Sequence, residues 1–258
     1  MPRERSSAND LAISLDHMRS VVLAACQGER FIGEQLRSIT AQLAQEDEIV
    51  VCDDASTDAT IDVVLQMKDS RIRVFANETR LGYIRNFERA ISFAKGDTIY
   101  FSDQDDVWLP NKIAAIESAL RLKPCVASDA IVVNEDLSLI YESYFAWRGT
   151  RGFSAAEMFR KPAIIGATLA CKRAYLSTVM PFPGGVPHDF WLTVNAAWDD
   201  AFGFVAEPLI LYRRHEAAVS PSGTGRRRPW RTILTERTRV AAALISRRLL
   251  GYPSRQSA

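Results

Sequence analysis

Three carboxylates, Asp103, Asp105 and Asp106, close the short apolar run Ile99-Tyr100-Phe101, and Val107-Trp108 and Pro110 come next. The run reads as a buried strand. Like charges this close repel and raise one another's pKa, so a buried strand that ends this way calls for a cause. A divalent cation removes the conflict. Hard oxygen ligands on one short loop suit Mg²⁺ or Mn²⁺, and such ions bring phosphates with them. The plainer reading is an acidic surface turn.

The elements around this cluster decide between the two. Ser20–Ala25 reads as a buried strand that runs into Cys26-Gln27-Gly28-Glu29-Arg30. Ile32, Leu36, Ile39 and Leu43 then recur at helical spacing, which predicts a helix over 31–44. A second strand, Glu48–Cys52, ends in Asp53-Asp54, and Ser56-Thr57-Asp58 offers cap side chains to a helix facing inward with Ile61, Val64 and Leu65. Arg71–Phe75 reads as a third strand. The next helix carries Phe87, Ala90, Ile91 and Ala94 and closes at Lys95-Gly96, and another is predicted near 110–122, opening at Pro110. Alternation of this kind predicts a Rossmann-like, mostly parallel sheet flanked by helices. Ligands of such sheets bind beyond the carboxyl ends of the strands. Three strand ends bringing polar groups to one edge favour a binding site over a surface turn.

Beyond residue 123 the pattern changes. Val126–Val133 reads as strand, Leu137–Tyr141 as its hairpin return, and 142–160 as aromatic and irregular. Ile164–Ala170 is apolar around Gly166-Ala167-Thr168, and a short helix starts near Lys172. His188-Asp189 opens a further helix, and Phe202–Ala206 and Leu209–Tyr212 read as two late strands before Arg213-Arg214-His215. The expected organisation is a polar extension over 1–19, one α/β domain over 20–225 and a basic tail over 226–258. The domain divides into a nucleotide-sugar half, 20–123, and an acceptor half, 124–225.

Composition is that of an ordinary globular chain: 258 residues, 47% apolar and 24% charged. The charge is uneven. Residues 213–258 hold eleven arginines, no lysine and two glutamates, a charge of +9, which leaves about −8 on residues 1–212 against the whole-chain +1. Cys26, Cys52, Cys125 and Cys171 are widely spaced without a C-x-x-C, which predicts free thiols in a reducing cytosol. No apolar run is long enough to span a membrane, and the N-terminus lacks a signal-peptide core.

In order, the motifs Ser20–Ile32, Val50–Asp58, Leu81–Phe87, Phe101–Pro110, Gly166–Ala170, Pro187–Leu192 and Leu211–Ser220 resemble the inverting family 2 glycosyltransferases of the GT-A fold. The variant is similar to bacterial rhamnosyltransferase-like enzymes of polysaccharide synthesis. The resemblance covers about residues 20–220 and implies a Mg²⁺ or Mn²⁺ cofactor and a nucleotide-diphosphosugar donor, dTDP-rhamnose first and a UDP-hexose as the alternative. The acceptor it implies is a glycan or lipid-linked hydroxyl. It further implies nucleotide-sugar contacts from Ala24, Gln27, Glu29, Asp53, Asp54, Arg85, Asp103, Asp105, Gly166 and Thr168. Asp54 would meet the base edge, and Asp53 and Asp54 could also simply cap the following helix. Asp105 or Asp106 would touch the cation, with one of the pair on the ribose, and His215 would supply a metal or diphosphate contact. Asp189 would be the general base. His188 stands where many relatives carry an acid, and Cys26 stands where an aromatic often stacks on the base. A catalytically silent nucleotide-sugar-binding subunit is the rival reading.

In the tail, Ile233, Leu234, Val240, Ala241, Leu244 and Ile245 fall roughly on one helical side among arginines. This predicts an amphipathic helix for an anionic membrane surface, hence a cytoplasmic protein peripheral on the inner face of the cell membrane. The other readings are a helix packed on the protein's own acidic body or on a second subunit. Nucleic acid is not an expected partner, since the basic stretch lacks the motifs of such domains.

Overall fold

A computed structural model describes residues 17–150, 152–215 and 229–250. In chain order the first half comprises β1 (Arg19–Ala25), α1 (Ile32–Thr40), β2 (Glu48–Asp53), α2 (Thr60–Gln66), β3 (Ile72–Ala76), α3 (Tyr83–Phe93), β4 (Thr98–Asp103), β5 (Val107–Trp108) and α4 (Lys112–Leu120). The second half comprises β6 (Cys125–Val133), β7 (Leu139–Tyr141), α5 (Tyr144–Arg148), α6 (Ala155–Arg160), a 3₁₀ turn at Gly166–Thr168, β8 (Ala170–Lys172), α7 (Arg173–Val179), α8 (His188–Trp198), β9 (Phe202–Arg213) and α9 (Trp230–Leu250).

The strands form one sheet in the order β3-β2-β1-β4-β8-β6-β9-β5, with β7 paired to β6. β3, β2, β1 and β4 are parallel, β8 runs antiparallel between β4 and β6, and β6 and β9 are parallel. Helices cover the central strands, so β1, β2 and β4 are apolar without alternation and are buried almost throughout. Register sets the site: Ala25 lies opposite Asp53, and Ala24 lies opposite both Cys52 and Asp103. The acids that end β2 and β4 therefore flank the last residues of β1.

Several expectations shift. The first helix stops at Thr40, short of 44, where Ala41 enters a turn. Leu65 faces outward at 60% exposure, and the inner face of α2 is Thr60 and Val64. Pro110 does not open α4, because Asn111 intervenes in a left-handed conformation, φ 73°. The segment 142–160 is not irregular. It holds two helices too short for periodicity to reveal, although Ser154 and Glu157 form a capping box that the S-x-x-E spacing announces. The two late strands are one, β9, with a register shift against β6 near Pro208. The dipeptide strand β5 had no sequence signal. Arg19 belongs to β1 and pairs with Asp47 and Glu117, while residues 1–16 of the expected extension lie outside the described residues, as do 216–228 and 251–258.

The tail helix packs on the body. Val240 and Leu244 are buried, whereas Leu234 and Ile245 are exposed, so the expected single apolar side is divided between two directions. Among the described residues no helix is long and apolar enough to cross a membrane. All four cysteines are free, as expected, with Cys125 and Cys171 opposite one another on β6 and β8.

Candidate active site

The acid loop leaves β4 at Asp103. Burial first, then the charges of Asp105 and Asp189, push the Asp103 carboxyl up to about 7. Asp189, in the first turn of α8, is thus near enough to the acid loop for its charge to act on Asp103. His215, just past β9, reaches the same place: its Nε2 lies 2.8 Å from Asp105 Oδ2 and its ring leans on Phe31 at 4.8 Å.

Asp105 and Asp106 differ in environment. Asp105 is half-buried beside His215, whereas Asp106 is fully buried and its Oδ1 accepts the Arg213 backbone N–H at 3.1 Å. Burial and the neighbouring Asp105 and Asp103 hold Asp106 well above the ordinary carboxylate range. Of the two candidates for the cation, Asp105 faces the site and Asp106 faces the interior.

Residues that the sequence did not single out support the loop. Arg213 is buried; its Nε donates to the Asp105 carbonyl at 2.7 Å, and its Nη atoms to the Glu135 carbonyl and Glu34. Lys112 is fully buried, donates to the Ala167 carbonyl at 3.0 Å and lies over the Trp108 ring at 4.7 Å. Burial pulls its amine down to about 7, against the opposing pull of Asp106. Gln104 clasps the end of β1: Oε1 accepts the Cys26 N–H at 2.7 Å and Nε2 donates to the Cys26 carbonyl at 2.9 Å. Gly28 leaves room for that amide, since a Cβ there would lie 2.2 Å from Gln104 Oε1. A lone Lys or Arg at an element's end reads as a solvated cation, so nothing in the sequence marked Lys112 or Arg213.

Several expected ligand contacts are used within the protein. Gln27 Oε1 accepts from Thr57 N at 2.6 Å and Glu29 Oε2 from Ala59 N at 2.9 Å, which ties the first loop to the second. Asp53 accepts from the backbone and hydroxyl of Ser56. Asp54, buried, accepts from Leu81 N at 2.7 Å, Gly82 N at 2.9 Å and Asn77 Nδ2 at 2.9 Å, so it shapes the 77–82 loop. Neither acid caps α2; the cap comes from Asp58, whose Oδ1 accepts the Thr60 N–H at 3.1 Å, one of the residues the sequence offered for it. Arg85 pairs with Glu88 on its own helix, and Ala24 is half-buried between its strand neighbours. Thr168 is buried with its hydroxyl on the Ile165 carbonyl at 2.8 Å.

Gly166 lies under His188. A Cβ on Gly166 would come within 2.6 Å of His188 Nε2. The imidazole is buried among Phe87 (4.3 Å), Phe101 (5.3 Å), Phe182 and Tyr83 (both 6.1 Å), and neither ring nitrogen has a hydrogen-bond partner. Burial pushes it down to about 3, so it stays neutral beside Asp189. A cleft of about 250 Å³ opens nearby along Leu81–Arg85 and Gly185. A polar cavity of about 270 Å³, lined by residues such as Thr150, Arg160 and Lys161, shares no residue with the acid loop.

Two carboxylates and an imidazole give mixed oxygen and nitrogen donors, and Asp103 carries a like-charge conflict that a cation would relieve. Among the described residues no three such groups converge as a protein-only cage. The expected set of Asp105, Asp106 and His215 is thus not assembled as a site of its own; a Mg²⁺ or Mn²⁺ there would take one or two protein ligands and share the rest of its shell with substrate oxygens.

Comparison with known proteins extends this picture. Residues 20–179 match the family described as glycosyl transferase family 2. Over 98 residues the chain is 35% identical to the Escherichia coli UDP-Glc:alpha-D-GlcNAc-diphosphoundecaprenol beta-1,3-glucosyltransferase WfgD; the alignment covers 38% of this chain and 39% of that relative. The fold is similar to that of S. aureus TarS in complex with UDP-GlcNAc, with TM-score 0.68, 17% identity, and 88% of this chain and 66% of that one covered. It is also similar to the mannosyltransferase PcManGT from Pyrobaculum calidifontis in complex with GDP-Man and Mn²⁺, with TM-score 0.58, 19% identity, and 91% and 76% covered. At these identities the two structures speak for the fold alone, and the fold is the GT-A-type α/β sheet expected from the sequence. Because the family match runs from β1 through the acid loop to the Gly166 turn and α7, the chain belongs to glycosyl transferase family 2.

Proposed function

We propose that this protein is an inverting, metal-assisted glycosyltransferase. It moves a hexosyl group from a nucleoside-diphosphate sugar to a hydroxyl of a glycan or lipid-linked acceptor in cell-surface polysaccharide synthesis. The observation that carries the reading is the acid loop with His215 Nε2 2.8 Å from Asp105, and Asp189 opening α8 next to the His188 that packs on the Gly166 turn. In a single displacement the acceptor oxygen bonds to the anomeric carbon as the bond from that carbon to the diphosphate oxygen breaks. Asp189 takes the hydroxyl proton, and the electron pair leaves with the nucleoside diphosphate. Asp105 and His215 would hold the cation, with Asp103 beside them. When bound, the cation offsets the charge on the leaving diphosphate. Asp54 acts by holding the 77–82 loop as one wall of the donor cleft, and Gln104 by fixing the acid loop to the end of β1.

Between dTDP-rhamnose and a UDP-hexose, the name of the relative WfgD, a UDP-Glc enzyme, favours the UDP-sugar. WfgD also acts on a diphosphoundecaprenol-linked sugar, which supports a lipid-linked acceptor at the inner face of the membrane.

Asp189→Asn tests the mechanism. Transfer should fall by about 10²–10⁴-fold, while the Mn²⁺-dependent thermal stabilisation by UDP-sugar survives. A variant that keeps its transfer rate would remove Asp189 as the base. A wild type that binds UDP-sugar yet neither transfers nor hydrolyses it with any lipid-linked acceptor would establish the silent binding subunit instead.

A further inference from the structure

We propose that the outward face of α9, together with Trp198 at the end of α8, seats this protein on an anionic lipid surface. The inference deepens the lipid-linked acceptor read above and rests on it for the choice of lipid.

The helix has two working faces. Glu236, Val240 and Leu244 pack on the body. Trp230 (67% exposed), Leu234 (54%), Ile245 (59%) and Leu249 (77%) do not. At 3.6 residues per turn these four fall within an arc of about 100°, a stripe with an apolar pair toward each end of the helix and Thr238 and Ala241 between them. Trp198, 60% exposed, extends the stripe sideways. Apolar surface grouped in this way is uncommon on a soluble protein and marks a contact.

The edges of the stripe are basic. Arg231 lies over the Trp230 ring at 5.5 Å and Arg248 over the Trp198 ring at 5.7 Å. Between Trp230 and Leu250 there are five arginines and one glutamate. Tryptophans flanked by guanidinium groups suit the headgroup layer, where the indole sits at the boundary and the cation meets lipid phosphate. A second copy of this chain is disfavoured, since it would bring the same basic edges face to face. A stable protein partner also takes about 20–30 residues a side, more than this stripe offers.

The placement serves the site. Arg239 donates to the Gly184 carbonyl just before α8, and Arg247 donates to Asn195 and Asp199 at its end, so α9 runs alongside α8 in the same direction. Asp189 and Trp198 are nine residues apart on α8, about 14 Å along its axis. A lipid-borne acceptor in the surface beside Trp198 is therefore about 14 Å from the base along the direction of the helix.

Flotation of the full chain with vesicles of phosphatidylcholine alone, and of phosphatidylcholine mixed with phosphatidylglycerol, tests this. Binding is expected to the mixed vesicles and to weaken with salt. Arg231→Gln should weaken it about fivefold. The triple variant Trp230→Ser, Leu234→Ser, Ile245→Ser should weaken it at least about tenfold, with the wild-type melting temperature as the control for folding. Absence of binding to the mixed vesicles, or equal binding by the triple variant, would overturn the proposal. So would a wild type that sediments as a dimer and a triple variant that sediments as a monomer without either binding lipid. UDP-sugar hydrolysis and transfer to a short-chain soluble acceptor are measured separately, so a wild type that transfers yet does not bind the mixed vesicles sinks the surface and leaves the enzyme reading standing.

Discussion

Replacing Gly166 by alanine adds one methyl group where the structure has none to give. The new Cβ would lie 2.6 Å from His188 Nε2 and 3.0 Å from Cε1, whereas ordinary contacts begin at 3.4 Å. The imidazole would have to retreat by about 0.8 Å, the difference between those two distances. It cannot do so alone, because Phe87, Phe101 and Phe182 surround it. The shift passes to the first turn of α8, which carries Asp189. Gly166 is not in a positive-φ conformation, so its backbone accepts alanine and the clash is isolated. Overpacking of this kind costs about 1–3 kcal/mol, or roughly 2–12 °C in melting temperature for a chain of this size. A misplacement approaching 1 Å at the base lowers turnover by about 10²-fold. Urea denaturation and single-turnover transfer measure the two effects, with UDP-sugar affinity expected to hold. Adding His188→Ala should restore part of both, a coupling of about 0.5–3 kcal/mol. Wild-type stability and rate in Gly166→Ala, or strictly additive losses in the double variant, would refute the reasoning.

Two further outcomes follow from buried charge. The His188 imidazole is held down to about 3 in the folded protein, while an unfolded one titrates near 6.5. Below about pH 6.5 the unfolded chain therefore takes up a proton that the folded chain refuses, and stability falls as pH drops toward 3. Between pH 7 and pH 5 the wild type should lose ~2 kcal/mol more than His188→Leu by urea titration; equal losses would mean that the imidazole protonates in place. Arg213→Met leaves the Asp105 and Glu135 carbonyls without their donor at about 1–3 kcal/mol each. It should also abolish the Mn²⁺-dependent part of the thermal shift, and an unchanged shift would show that the acid loop stands without it.

Legibility in the sequence depended on range. Val21–Leu23, Ile49–Cys52 and Ile99–Phe101 announce buried strands because both faces of a parallel sheet are covered, and the register that puts Asp53 and Asp103 beside the end of β1 follows from them. Asp189 and His215 were legible as chemistry-bearing residues, and the fold brings both to the acid loop. The supports were not legible. Lys112 and Arg213 look like surface cations until β9 and the Gly166 turn close over them, and the pairing of Gly166 with His188 exists only in three dimensions. Gln27, Glu29 and Asp54 were legible as polar groups at the correct edge, yet their hydrogen bonds go to neighbouring loops, a choice that depends on loop geometry. The tail arginines read on paper as spread around the helix, and the structure draws Arg247 onto Asp199 of the body.

β5 has consequences for the order in which the molecule assembles. This two-residue strand follows the acid loop directly, and among the described residues its only sheet partner is β9. β1 and β2 pair at a separation of 28 residues and β2 and β3 at 23, but Val107 and Trp108 wait for Leu211 and Ile210, 104 and 102 residues on. Contacts between such distant positions form late, because the intervening chain must first be closed into a loop. A nascent chain halted before β9 emerges would thus carry a formed nucleotide-side sheet with an unset acid loop. Pulsed hydrogen exchange during refolding should show the amides of 107–109 gaining protection together with those of 209–213, after those of β1 and β2. On the proposed metal-assisted reading, the acid loop would then be completed for its cation in the last step of folding.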